Sequence, residues 1–205
     1  MILSLHFIIG FISSFLGTLT PSMLNMTAAK ISVNKGKSEA TKFAIGVSVI
    51  VLIQAYIATL FTRYLSVNPE FEKHLQRIAL VIFAILSFYF YKQYKKDKIK
   101  IEQPKKTVKN SFAIGLLLSS LNMFAVPFYC GITTALDVAG WLQFTQTYII
   151  FFVLGSALGT FFLLFVYLNF AKKIQKKSKG FAKNLNLILS ILTGVLALIT
   201  LVKVI

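Results

Sequence analysis

The chain has 205 residues, of which 57% are hydrophobic and only 14% charged, where an ordinary soluble domain carries about 25% charge. A mean hydropathy of +0.76, with apolar runs long enough to cross ~30 Å of hydrocarbon, excludes a soluble globular enzyme and describes a single integral membrane domain, 1–205. The net charge of +16 does not indicate nucleic acid: the lysines sit in short connections between apolar runs, without the aromatic interleaving that stacks on bases.

In chain order, the first apolar run covers Leu3–Leu24 and continues weakly to Val33. It carries no basic n-region or A-x-A site, so no signal peptide is expected. Inside it lie Ser13, Ser14, Thr18, Thr20, Pro21, Ser22, Asn25 and Thr27. Pro21 has no backbone N–H and its ring clashes with the Gly17 carbonyl, so the span is expected to break there. Broken helices survive at membrane depth where they line a cavity or pack inside protein.

A turn, Asn34–Glu39, leads to a second span at Ala40–Phe61, in which Gly46 permits close approach and Gln54 is the deepest strongly polar group. A loop over Thr62–His74 precedes a third span, Leu75–Tyr91, with Arg77 expected to snorkel to the interface. The Lys-rich stretch Lys92–Asn110 follows. The fourth span, Phe112–Cys130, is expected to break near Pro127, and a loop then runs to Gln143. The fifth, Thr147–Phe170, carries Gly155 and Gly159 as G-x-x-x-G, a close-packing face inside the fold. A further Lys-rich loop, Ala171–Lys183, leads to the sixth span, Leu185–Val202, with Ser190 and Gly194 as a small-residue packing pair.

The two halves echo each other. Residues 8–29 laid over 114–135 share six identities, including Ser13 with Ser119, Ser14 with Ser120 and Pro21 with Pro127. Roughly one or two would arise by chance. Proline-interrupted segments at matching places in two halves point to a transporter site. The expected fold is therefore all-α: six transmembrane helices as two inverted repeats of three, 1–92 and 111–205, joined by a Lys-rich cytoplasmic loop over 92–110. The first helix of each repeat is broken at proline. Of the 22 basic residues, 18 flank the first, third and fifth loops. The positive-inside rule puts those loops in the cytoplasm and both termini in the periplasm of a multi-pass inner-membrane protein. The same lysines are expected to touch anionic lipid head groups.

No Asp or Glu lies inside an expected span. An intramembrane carboxylate relay is absent, and the coupling ion is left open. His6 lies near the outer end of the first span and reads as an interface residue. Cys130 is the one cysteine, so paired-thiol redox chemistry is excluded. No metal-ligand cluster exists, and no cofactor is expected. What remains is neutral and polar. Amides and hydroxyls both donate and accept, and with backbone freed at two breaks they suit the two charged ends of a zwitterion. The expected substrate-binding residues are Pro21, Asn25, Gln54, Asn122, Pro127, Ser14 and Ser120.

Leu16–Gly46, LGTLTPSMLNMTAAKISVNKGKSEATKFAIG, resembles the first motif region of the lysine-exporter (LysE-type) translocators, with Pro21, Gly36 and Gly46 at matching places. Leu116–Gly131, LLLSSLNMFAVPFYCG, is similar to the family's second motif, with Asn122 matching its Asn. The family's Pro-Gly-Pro reads Thr20-Pro21-Ser22 here, and its Asn-Pro reads Asn122-Met123. The resemblance implies export of an amino acid or similar small metabolite through a bacterial inner membrane. The alternative weighed beside it is a non-transporting assembly or scaffold protein whose Lys-rich loops dock a partner. A membrane enzyme ranks third, since no nucleophile–base pair converges. A homo-oligomer is compatible with the sequence.

Overall fold

A computed structural model describes residues 2–19, 22–95, 110–173, 187, 190–191, 194–195 and 197–202. The described residues fold as helices: α1 (Ile2–Gly17), α2 (Met23–Lys35), α3 (Lys37–Ser66), α4 (Pro69–Lys95), α5 (Ser111–Ser120), α6 (Ala125–Val138) and α7 (Gln146–Asn169). Further helical residues occur between 187 and 202. The helices α3 and α7 are long and apolar enough to cross a membrane, and α5 with α6, bent by 63°, makes a third crossing if the pair is one span. Leu3–Gly17 and Leu80–Tyr89 are shorter apolar helices.

Two connections among the described residues are shorter than the sequence suggests. The expected turn Asn34–Glu39 contracts to Gly36 alone, at φ 91°. A side chain is strained at that angle, and glycine is not. The expected loop Thr62–His74 contracts to Val67 and Asn68, with Pro69 opening α4 at the first helical position, where a missing N–H costs nothing. A 30-residue α3 is ~45 Å long, well beyond the ~30 Å hydrocarbon core. Its polar ends therefore remain helical in the head-group layer, where the sequence reads as loop.

The fold comprises two compact units, Met1–Arg63 with Pro104–Lys176, and Tyr64–Gln103 with Lys177–Ile205. In the second, Ser87 and Ser190 exchange hydroxyl-to-carbonyl bonds of 3.0 Å, with Gly194 against the Ser87 hydroxyl. Arg77 on α4 is exposed.

In the first unit, helix directions follow from paired contacts. α1 and α7 run parallel: Phe7 meets Gly155, Phe11 meets Gly159, and Leu19 meets Tyr167. α3 and α5 also run parallel: Ser111 bonds Glu39, Gly46 meets Phe112, and Gln54 reaches Ser119. α3 is antiparallel to α7, since Tyr56 bonds Gln146 at the start of α7 and Lys37 lines one cavity with Leu168 near its end.

Both parallel pairs are held by glycine. A Cβ on Gly155 would overlap the Phe7 carbonyl oxygen, and one on Gly10 the Phe152 carbonyl oxygen. On the other pair, Gly46 abuts the Phe112 carbonyl and Gly115 the Phe43 carbonyl. One contact set maps on the other by a shift of 105 between α1 and α5 (Phe7 to Phe112, Gly10 to Gly115) and 109 between α3 and α7 (Phe43 to Phe152, Gly46 to Gly155).

Small residues concentrate on the buried faces, and the exposed stripes are large and apolar. α7 buries Gly155, Ser156, Gly159 and Thr160 while exposing Ile150, Leu154, Leu158, Phe162 and Phe165. α3 exposes Ile45, Val49, Ile53, Ile57 and Phe61. Such stripes are a liability in water but cost nothing against lipid tails, where packing of small residues drives helix association. The arrangement is that of a membrane protein.

Candidate functional site

Each proline acts on the carbonyl four residues before it. For Pro21 that is Gly17, the last residue of α1; for Pro127 it is Met123, within the interruption between α5 and α6. α1 stops at Gly17, and α5 stops at Ser120, three residues before Met123. Thr20 and Pro21 themselves lie outside the described residues. Pro127 is the third residue of α6, in the turn whose N–H groups have no helical partner anyway. It opens α6, and the break precedes it, at Leu121–Phe124. This refines the expectation of a break at the proline itself.

The first interruption is stitched by side chains. Ser22 caps α2, its hydroxyl accepting from the Asn25 N–H at 3.4 Å. Asn25, 2% exposed, donates its amide to the Thr18 carbonyl at 2.7 Å and also reaches the Tyr167 hydroxyl. Tyr167 donates to the Leu19 carbonyl at 2.9 Å. Backbone acceptors that a continuous helix would have satisfied are thus met from α2 and α7, as a low-dielectric surrounding requires.

The second interruption is served from α3. The Ser119 carbonyl accepts the Asn122 N–H and the Gln54 amide, both at 3.0 Å. Ser119 donates its hydroxyl to the Val47 carbonyl at 3.3 Å. Gln54 is 8% exposed, and its Oε1 is buried with no donor in reach among the described residues. A buried orphan acceptor costs about 1–3 kcal/mol.

The interruptions are neighbours. The Phe128 ring lies over Gly17, where any side chain would collide with it. Ser14, fully buried, bonds the Tyr129 hydroxyl at 2.8 Å and the Thr160 hydroxyl at 2.6 Å. This hydroxyl chain joins α1, α6 and α7 beside both breaks. Ser14→Ala is expected to cost about 1–3 kcal/mol, and a double-mutant cycle with Tyr129→Phe should show coupling of roughly 0.5–3 kcal/mol. Additive melting shifts would mean that the chain contributes nothing.

Of the residues the sequence singles out, the Gln54 side chain and the Asn122 backbone N–H share the Ser119 carbonyl, whereas Asn25 serves the other break. Ser120 is exposed and its hydroxyl returns to Leu116 of its own helix at 2.8 Å, so Ser119 is the serine directed inward. Tyr129 and Tyr167 escaped sequence reasoning because a tyrosine within an apolar run reads as membrane-facing bulk. His6 is 1% exposed, stacked on Tyr148 at 4.6 Å, with Nε2 accepting from the Gln143 N–H. It anchors the segment before α7. Among the described residues, no group of His, Cys, Asp and Glu could hold a metal.

No match was found among curated proteins or among solved structures. Residues 15–203 match the family described as LysE type translocator. With an inside-out membrane fold, two interrupted helices side by side and this match over nearly its whole length, the chain belongs to the LysE type translocator family.

Proposed function

We propose that the protein exports an amino acid or a similar small zwitterion across a bacterial inner membrane by alternating access. Its family is one of transporters for amino acids and other small molecules, and its apolar helices place it in a membrane. Beyond that, the carrying observation is Gln54: an amide nine-tenths buried beside the interruption between α5 and α6, with its oxygen unclaimed among the described residues. A substrate ammonium would supply the missing donor. The Asn122 amide and the positive N-terminal end of α2 offer partners to a carboxylate. Asn25 and Ser14 hold the first interruption in shape, while Pro21 and Pro127 keep the helices open.

The architecture proposed is six spans in two inverted repeats. The parallel pairing of α1 with α7 and of α3 with α5, with the repeated glycine contacts, supports it. Alternation is then a movement of the α1–α7 pair against the α3–α5 pair. Within each pair, backbones touch. Between them run contacts that can exchange partners: Tyr56 with Gln146 directly, and Ser14 with Tyr129 and Thr62 with Thr133 by way of α6. Interfaces that reassociate in this way are what a two-state carrier needs.

The test is the metabolite content of the medium around cells overproducing the protein. One zwitterionic metabolite is expected to accumulate outside, and Asn122→Leu or Pro21→Ala to abolish the accumulation with protein levels unchanged. An unaltered medium would overturn the reading. Topology is tested with reporters fused after Ile205: activity is expected from one that works in the periplasm. Activity only from a cytoplasmic reporter would remove the inverted-repeat arrangement.

A further inference from the structure

We infer that the cavity at the Lys37 end of the first unit is a binding site for the phosphodiester head group of an anionic lipid. The cavity has a volume of about 590 Å³ and lies where α2, α3 and the end of α7 meet. That falls within the range of sites that hold small ligands. Its floor is apolar, with Leu168 and Ala171 buried and Phe170 half exposed. Lys37, Lys172 and Lys173, all exposed, also line it.

Three observations make this a site for an external anion. First, no carboxylate lines the cavity, and among the described residues none of these lysines has an ion-pair partner. The nearest acid along the chain, Glu39, is committed to Lys42 at 2.7 Å and to the Ser111 hydroxyl at 2.6 Å. Second, four carbonyls around the end of α7 already have donors other than the lysine side chains. Phe165 accepts from the Asn169 amide, Val166 from the Phe170 N–H, Leu168 from the Ser32 hydroxyl and Phe170 from the Lys173 N–H. Third, Lys37 is the first residue of α3, so the positive end of that helix dipole faces the space where α2 and α7 end. Three cations and a helix start over an apolar floor match a lipid, whose phosphate is anionic and whose glycerol and acyl portion is not. A soluble anion would leave Phe170 and the floor without a partner.

This inference stands whether or not the protein carries an amino acid, and its test contains no transport step. The purified full-length protein is placed in phosphatidylcholine vesicles, with or without phosphatidylglycerol, and its melting temperature and lipid retention in native mass spectrometry are read. Phosphatidylglycerol is expected to raise the melting temperature and to be retained. K37Q/K172Q/K173Q should weaken retention by roughly one to two powers of ten, and K37R/K172R/K173R should preserve it. A control, K98Q/K105Q/K106Q, removes the same charge elsewhere and should retain lipid as the unaltered protein does. Equal loss in the control would overturn the inference in favour of diffuse surface charge. Stabilisation by inorganic phosphate alone, without phosphatidylglycerol retention, would overturn it in favour of a soluble anion.

Discussion

Gly155→Ala is expected to lower the melting temperature of the purified protein by roughly 6–12 °C, the shift that goes with about 3 kcal/mol in a chain of this size. The added methyl would overlap the Phe7 carbonyl oxygen and sit 3.0 Å from the Phe11 nitrogen. Both are backbone atoms in the middle of α1, so no rotamer change relieves the contact. The helices must separate, and the dispersion contacts of the whole seam weaken with them. Gly46→Ala should behave alike against the Phe112 carbonyl. Gly131→Ala supplies the opposite sign: nothing lies within 4 Å of a Cβ there, and alanine in a helix interior is better than glycine by roughly 0.5–1 kcal/mol. A Gly155→Ala protein that melts with the unaltered one would show that α1 and α7 are not in backbone contact. The pairing on which the proposed movement depends would fall with it.

Those seams were half legible in the sequence. Gly155 and Gly159 stand out because the i, i+4 spacing puts both on one helix face, and Gly46 stands out as a lone gap in an apolar run. What each glycine faces was not legible. Gly10 and Gly115 carry no local signal, and their role depends on which helices become neighbours. The breaks were legible in existence because proline acts through covalent geometry. Their placement follows from the clash at the residue four back, which ends α1 at Gly17 and puts the second break around Met123. The inward serine was not legible. Ser119 and Ser120 are adjacent and chemically identical, and only the rotation of α5 against α3 sends one to the Val47 carbonyl and the other outward. Loop lengths were overestimated for a similar reason: hydropathy marks where hydrocarbon ends, whereas the helix continues until a residue such as Gly36 or Pro69 stops it. The orphaned oxygen of Gln54 is a property of the assembled core, and no pattern in one chain foretells it.

Gln54→Leu should separate stability from transport. Two groups on this side chain have different fates. The amide nitrogen serves the Ser119 carbonyl, but that carbonyl keeps the Asn122 N–H when glutamine is removed. The oxygen serves nothing, so its removal lifts a burial penalty of about 1–3 kcal/mol. Leucine fills a similar volume with no polar atom to satisfy. The melting temperature is therefore expected to hold or rise. Transport of the metabolite identified in the efflux experiment is expected to fall by roughly 10- to 150-fold, the value of one hydrogen bond to a charged group. A polar group that destabilises the resting protein and is indispensable to its activity is the usual signature of a site. If Gln54 is only an interhelical tie, the outcome inverts: the melting temperature drops, and flux per folded molecule stays the same. Measuring both quantities on one preparation distinguishes the two, because misfolding lowers flux only in proportion to the folded fraction, whereas loss of the ammonium acceptor lowers it in molecules that are fully folded.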